Sequence, residues 1–169
     1  MLKRVVLAVV FVAASILPTM SFAATGGLFG GFFAGRQSSI TTTAVPEASG
    51  HISITINIAE QEMVVQDERH TIYVWDVSTG RPGHATPTGR YKPIRMHEMW
   101  YSSKYENAPM PWSIFFYGGY AIHGTTDVKH LGHVASHGCV RLDPANAKLL
   151  YDLVKEVGMK NTAIALVRS

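Results

Sequence analysis

The stretch 52-ISITINI-58 alternates isoleucine with serine, threonine and asparagine. Successive side chains of a β-strand point to opposite faces, so this period of two predicts a strand with one buried and one polar face. Two more segments of strand character follow, 62-EMVVQ-66 and 71-TIYVWDV-77, and short polar turns separate the three. Together they predict a β-meander and a domain that is mainly β.

Past the meander, residues 78–93 hold too much glycine and proline for regular structure and are predicted to form a long loop. Aromatic-rich strands are expected at 112–117 and 120–123, joined by a Gly-Gly dipeptide that suits a tight hairpin. A last strand is expected at 162–167. The pattern therefore remains that of a β domain up to its end.

One helix is predicted in the C-terminal half. Asp143 is a good N-cap, Pro144 suits the first helical position, and Gly158 closes the helix. Its predicted apolar stripe consists of Leu149, Leu150, Leu153, Val154 and Val157.

The N-terminus resembles an export signal. A basic start, 1-MLKR-4, precedes an apolar run from Val5 to Leu17 and small residues at Ser21 and Ala23. This order predicts a secretory signal peptide over 1–23, a linker over 24–50 and a folded domain over 51–169. An uncleaved membrane anchor stays open as an alternative, although the apolar run is shorter than the roughly 20 residues that span a bilayer.

The charge balance gives no sign of a nucleic-acid partner. Removing the signal leaves 169 − 23 = 146 residues and 15 − 2 = 13 basic against 12 acidic side chains, a net charge of +1. Binding to a phosphate backbone needs a strong basic surface. We therefore expect no nucleic acid among the partners.

The single cysteine, Cys139, lies in 136-SHGCVR-141. A lone thiol in an exported chain is either buried and inert or kept for its reactivity, and a reactive thiol needs a base or a positive environment. His137 and His123 are both candidate bases, and spacing alone does not choose between them. Gly138 allows close backbone approach to an oxyanion, and Arg141 could hold a substrate carboxylate.

Several ordered segments carry a family resemblance. The pattern 122-IHGT-125 followed by 136-SHGCVRL-142, with 78-STG-80 and 86-TPTGRY-91 before them, resembles the L,D-transpeptidase catalytic domain, also called the YkuD domain. The resemblance covers roughly residues 51–167. It implies a β-sandwich-like catalytic domain that acts on peptidoglycan.

The resemblance also implies roles for individual residues. Cys139 would be the nucleophile and His123 its general base, with the backbone carbonyl of Gly124 orienting the imidazole. His137 would shape the pocket, and Ser136 would support the turn. The N–H groups around Gly138 and Cys139 would stabilise the oxyanion, and Arg141 would bind substrate.

The implied reaction is acyl transfer between peptidoglycan stem peptides, through a thioester on the cysteine and with release of D-alanine. No cofactor is expected, and carbapenems are expected to acylate the same thiol. An envelope protein is an alternative amine acceptor. The expected location is the periplasm or cell envelope. An L,D-carboxypeptidase, a cross-link hydrolase and a non-catalytic peptidoglycan-binding module are the alternative functions.

Two further questions stay open at the level of sequence. His130 and His133 could join His123, His137 and Cys139 in a zinc site, although their spacing is not that of a standard site, and solvated loop residues are the favoured interpretation. The segment 98–111 matches no family motif. Trp100, Tyr101, Trp112 and Tyr117 could line a substrate groove or pack in the core.

Overall fold

The computed structural model describes residues 50–68 and 70–169. The predicted signal peptide, 1–23, and the predicted linker up to residue 49 lie outside the described residues. Within the described residues, no helix is both long enough and apolar enough to cross a membrane.

Nine strands and one α-helix make up the described domain, with two short 3-10 turns. In chain order the elements are β1 Ile52–Asn57, β2 Glu62–Asp67, β3 Thr71–Asp76, β4 Gly89–Tyr91, β5 Arg95–Ser102, β6 Ala108–Tyr117, β7 Tyr120–Gly124, the 3-10 turn Val128–His130, β8 Val140–Leu142, α1 Pro144–Val157, the 3-10 turn Met159–Asn161 and β9 Thr162–Val167.

The strands form two sheets. The first has the order β3-β2-β1-β9-β4 and the second the order β5-β6-β7-β8. The meander β1-β2-β3 is antiparallel, as the sequence predicted, whereas β9 enters parallel to β1 with Ile52 opposite Thr162. The mainly β, sandwich-like fold class is confirmed.

The core lies between the two sheets and is closed by α1. The isoleucines of β1 at 52, 54 and 56 are at most 3% exposed and meet apolar side chains of the second sheet and the helix in one cluster. Burying a side chain of this size contributes roughly 1.5–3 kcal/mol. The isoleucines of 52-ISITINI-58 therefore mark the face of β1 that is buried in the core.

Helix α1 begins and ends where the sequence predicted. The Asp143 carboxylate accepts a hydrogen bond from the N–H of Ala145 at 2.8 Å, Pro144 is the first helical residue, and Gly158 adopts φ +91° at the end. Leu150, together with Leu153 and Val154, is buried. Leu149 was wrongly assigned to the buried stripe, because it is 37% exposed.

The predicted long loop 78–93 is interrupted by β4, a three-residue edge strand whose residues pair with β9. Its shortness and the preceding glycine and proline hid it from the sequence pattern. The predicted hairpin between β6 and β7 is confirmed: Tyr117 pairs with Tyr120, and Gly118 takes the positive φ of +49° that the turn needs.

Candidate active site

Cys139 directly precedes β8, and β8 pairs with β7, the strand that carries His123. Strand β8 runs parallel to β7, with Ile122 opposite Val140 and His123 opposite Arg141. Opposite residues of paired strands project to the same face of a sheet. Cys139, His123 and Arg141 accordingly line one cleft of about 690 Å³.

Both ends of the thiol turn are held by the 78-STG-80 segment. Ser78 and Arg141 exchange backbone hydrogen bonds, N–H to carbonyl, at 3.0 and 2.9 Å. At the other end the N–H of Ser136 donates to the carbonyl of Thr79 at 2.9 Å. Residues 136–141 are thus held at both ends by backbone hydrogen bonds to a segment that lies far upstream in the sequence.

Inside the turn, Ser136 takes the supporting position that the resemblance implied. Its hydroxyl donates to the carbonyl of Cys139 at 2.6 Å and accepts from the N–H of Gly138 at 3.0 Å. Gly138 has φ +113°, and a Cβ there would lie 2.6 Å from a ring carbon of Tyr120. Only glycine fits this position without strain. The resemblance implied that the N–H groups of Gly138 and Cys139 stabilise the oxyanion. That of Gly138 already donates to the hydroxyl of Ser136.

The imidazole of His123 is buried and held in one tautomer. Its Nδ1 lies 2.7 Å from the carbonyl oxygen of Gly124, the contact that the resemblance implied. A carbonyl oxygen only accepts, so Nδ1 carries the proton and Nε2 keeps its lone pair. Burial lowers the pKa of His123 to about 4; the hydrogen bond to Gly124 opposes this shift and the charge of Arg141 adds to it.

The thiol of Cys139 is half-buried and lies 3.9 Å from the carbonyl oxygen of Gly119. Burial raises the pKa of this thiol above its usual value, and a hydrogen bond with the backbone of Ala121 and the charge of Arg141 offset part of that rise. At neutral pH the cleft therefore holds a protonated thiol and a neutral imidazole whose free nitrogen can accept a proton.

His137 lies on the outer side of the turn and contacts three side chains. Its Nε2 accepts from a guanidinium nitrogen of Arg81 at 2.6 Å, and its ring lies 4.7 Å from that of His84 and 4.5 Å from that of Tyr105. Burial, followed by the charge of Arg81, lowers the pKa of His137. A neutral ring in this place shapes the rim of the cleft.

Arg141 presents its guanidinium to the cleft beside one carboxylate. Its Nη1 is 3.6 Å from Asp127, whose other oxygen lies 2.7 Å from Nδ1 of His130. The remaining N–H groups of a guanidinium can still hold a carboxylate. In the part of the chain that the structure describes, no three side chains suited to a metal come together, and His130 and His133 are exposed, which argues against the zinc alternative.

The segment 98–111, which matched no motif, forms most of the β5–β6 hairpin. Its turn residues and Met110 contribute to the wall of the cleft, and Tyr105 packs on His137. Of the four aromatic residues, one fits the groove alternative, one fits the core alternative and two fit neither. Trp100 lines the cleft, Tyr101 and Tyr117 are exposed, and Trp112 packs on Tyr151 of α1.

Two residues that sequence reasoning did not single out support the turn from behind. The buried side chain of Gln61 bonds to both the N–H and the hydroxyl of Thr79, at 2.7 and 2.6 Å. Thr86 bonds to the backbone of Gly80 and Gly138. The 86-TPTGRY-91 motif was the available signal for Thr86, whereas nothing in the sequence around Gln61 indicated a polar core residue.

Comparison with known proteins gives matches to one family. The family model described as the L,D-transpeptidase catalytic domain, YkuD, matches residues 51–163. The protein YciB of Bacillus subtilis (strain 168), itself an inferred L,D-transpeptidase, is 30% identical over 122 residues; the match covers 63% of this chain and 62% of YciB. The chain thus spans less than two thirds of that relative's length.

Solved structures show the same fold. An L,D-transpeptidase from Stackebrandtia nassauensis superposes with a TM-score of 0.62 at 26% identity, covering 78% of this chain and 61% of that one. An L,D-transpeptidase from Mycobacterium smegmatis gives the same TM-score at 21% identity, covering 69% of this chain and 58% of that one.

Proposed function

Because this chain belongs to the L,D-transpeptidase catalytic domain family, we propose that it is an exported enzyme that cross-links peptidoglycan stem peptides through a thioester on Cys139. The observation that carries the proposal is the pairing of β7 with β8, which puts a tautomerically fixed, neutral His123 and the thiol of Cys139 in one cleft. This is the arrangement that base-assisted attack by a thiol requires.

In the first half-reaction the sulfur of Cys139 attacks the carbonyl that joins the L-centre of a diamino acid to the terminal D-alanine of a tetrapeptide stem. Nε2 of His123 takes the thiol proton, and a tetrahedral oxyanion forms. When the C–N bond breaks, the imidazolium returns the proton to the leaving amine of D-alanine. A thioester remains on Cys139.

In the second half-reaction an amine of another stem attacks the thioester. His123 accepts a proton from this amine, the C–S bond breaks, and the thiol is regenerated with the new amide bond as the cross-link. Arg141 binds a carboxylate of a stem, since its guanidinium faces the cleft with donors beyond those directed at Asp127. The acceptor is a second stem or an amine of an envelope protein.

Intact-protein mass spectrometry with a carbapenem tests the nucleophile. We expect one covalent adduct on the wild-type protein and none on Cys139→Ala, because only the thiol can form the acyl bond. His123→Ala should slow adduct formation by about 10²- to 10⁴-fold, the usual contribution of a general base. An adduct on folded Cys139→Ala would disprove the assignment.

Incubation with a defined tetrapeptide stem, with and without an amine acceptor, separates the possible outcomes of the thioester. Release of D-alanine with a cross-linked product supports transfer. Release without any cross-linked product, at every acceptor concentration, would identify an L,D-carboxypeptidase instead. Binding to peptidoglycan without D-alanine release or thioester would identify a binding module.

The proposed location is the periplasm or cell envelope, reached by cleavage of residues 1–23. The basic start, the short apolar run and the small residues at Ser21 and Ala23 support it. Mass spectrometry of the protein recovered from fractionated cells should give an envelope form that begins at Ala24. Recovery of the intact N-terminus in the cytoplasmic fraction alone would contradict the export proposal.

A further inference from the structure

Thr86 contacts the back of the thiol turn from a position 52 residues upstream. Its side chain is buried, with 3% exposure, and its hydroxyl accepts a hydrogen bond from the N–H of Gly80 at 2.8 Å. The same hydroxyl donates to the carbonyl oxygen of Gly138 at 2.9 Å. Because the N–H of Gly80 occupies a lone pair of the hydroxyl, the O–H bond is directed at Gly138.

The carbonyl that Thr86 holds belongs to the peptide unit whose N–H is that of Cys139. This peptide is trans and planar, so its C=O and N–H point in opposite directions. Cys139 lines the cleft, whereas Thr86 and Gly138 do not. A carbonyl fixed toward Thr86 therefore directs the N–H of Cys139 away from Thr86, which itself lies outside the cleft.

The neighbouring N–H is already engaged. Gly138 donates its N–H to the hydroxyl of Ser136 at 3.0 Å, inside the turn. A hydrogen bond to an oxyanion stabilises a transition state only when the donor is held in place before charge develops. Of the two N–H groups at this turn, that of Gly138 is engaged inside the turn, whereas that of Cys139 belongs to a peptide whose orientation Thr86 fixes from outside the cleft.

We propose that Thr86 is a positioning residue for the acyl-transfer step: it locks the Gly138–Cys139 peptide so that the N–H of Cys139 donates to the oxyanion. This inference rests on the proposed function, since it concerns the tetrahedral intermediate of that reaction. Thr86 itself touches neither substrate nor the reacting atoms.

The segment before Thr86 is built to hold this hydroxyl in place. A Cβ on Gly80 would overlap the carbonyl oxygen of His84 and approach the backbone nitrogen of Thr86 to 2.9 Å. Gly80 must therefore lack a side chain for its N–H to reach the hydroxyl. The glycine of 78-STG-80 and the first threonine of 86-TPTGRY-91 thus form one unit with the thiol turn.

Three variants and two reactions test the proposal. Thr86→Val removes the hydroxyl at nearly constant volume, Thr86→Ser restores it, and Thr88→Val makes the same change two residues away at an exposed position. Acylation by a carbapenem passes through an oxyanion, whereas alkylation by iodoacetamide reports on the thiol without one. Both rates are measured by intact-protein mass spectrometry, beside thermal unfolding of each variant.

We expect Thr86→Val to slow acylation about 10- to 100-fold while alkylation stays within about twofold of the wild type. Thr86→Ser and Thr88→Val should keep both rates. Unchanged acylation in folded Thr86→Val would overturn the inference, as would equal slowing of both reactions, because the residue would then support the thiol or the fold. Failure of the wild-type protein itself to be acylated would instead overturn the proposed function.

A measurement on the wild-type protein keeps the test decisive if Thr86→Val does not fold. In the acyl-enzyme the thioester carbonyl oxygen occupies the oxyanion position. The backbone amide proton of Cys139 should then move downfield in the NMR spectrum on acylation, more than that of Gly138. A downfield shift of the Gly138 amide proton alone would identify Gly138, and not Cys139, as the donor to the oxyanion. That result would overturn the proposal.

Discussion

At the scale of single residues, the pKa values of His123 and Cys139 are shifted in opposite directions, and each shift favours the neutral form of its group. Burial lowers the pKa of the imidazole to about 4 and raises that of the thiol, so both groups are neutral at pH 7. The sequence placed both residues at the site but gave no measure of burial. Their resting protonation states therefore follow only from the structure.

A neutral pair predicts different pH profiles for two reactions of the same thiol. Acylation by a carbapenem should be nearly constant from about pH 5 to 8 and fall below about pH 4, where the imidazole becomes protonated and cannot act as base. Alkylation by iodoacetamide should instead rise about tenfold per pH unit between pH 6 and 8, because it follows the small thiolate fraction.

Mass spectrometry across this pH range measures both rates, with His123→Ala as the control. That variant should lose the flat acylation profile. An alkylation rate that already reaches its plateau below pH 7 would show a preformed thiolate and contradict a neutral pair.

The role inferred for Thr86 marks the limit of prediction at this scale. Cys139 and Arg141 were candidates from residue type and spacing, whereas His123 was preferred to His137 only through the resemblance to the L,D-transpeptidase family. The contact between Thr86 and Gly138 spans 52 residues and depends on a buried hydroxyl between two backbone groups. No local periodicity reports such a contact, and only the motif around Thr86 hinted that the position mattered.

At the scale of elements, the β5–β6 hairpin explains why 98–111 matched no sequence pattern. Pro109 and Pro111 lie within β6, and proline is uncommon in central strands because it lacks an N–H. These prolines pair across to β5, while pairing of β6 with β7 begins only at Ile114. The first half of β6 therefore behaves as an edge, which accommodates proline.

The hairpin turn contacts the thiol turn through Tyr105, whose ring is 4.5 Å from that of His137. We expect Tyr105→Ala to raise KM for a tetrapeptide stem about three- to tenfold, because a ring pair of this kind contributes about 0.5–1.5 kcal/mol. Acylation by the smaller carbapenem should change less. Steady-state kinetics of D-alanine release gives the KM.

Tyr101→Ala is the matched control, since Tyr101 lies on the same hairpin but is 58% exposed and does not line the cleft. It should leave KM unchanged. Equal effects of the two substitutions would show that the hairpin acts through its general stability rather than through the contact with His137.

At the scale of the whole molecule, the buried His123 links stability to pH. Its pKa falls from the usual 6.5 to about 4 on folding, so between these values the unfolded chain binds a proton that the folded chain does not. The free energy of unfolding must then decrease as pH falls below 6.5, by about 2 kcal/mol at pH 5.

Urea denaturation at pH 7.5 and pH 5 measures this loss, with His123→Asn as the comparison. The variant has no titratable group at this position and should lose about 2 kcal/mol less than the wild type over the same interval. Equal losses in both proteins would assign the pH dependence to other groups.

Fold class and the positions of six of the nine described strands followed from the local sequence pattern, whereas β4, β5 and β8 were given no bounds. The order of strands within each sheet did not follow from the sequence either. The meander β1-β2-β3 was predictable because its strands are joined by short turns. The placement of β9 between β1 and β4, and of β8 beside β7, depends on contacts between distant segments. The pairing of β8 with β7 brings the two walls of the cleft together.

The last strand in the sequence, β9, occupies an inner position of the first sheet. Until the ribosome has made residues 162–167, β1 lacks its parallel neighbour and the sheet cannot be completed. Non-local pairing of this kind delays folding until the distant segment arrives. A nascent chain that has not yet reached residue 167 can therefore form the meander β1-β2-β3 but not the complete first sheet, so this sheet closes only after nearly all of the described residues have been synthesised.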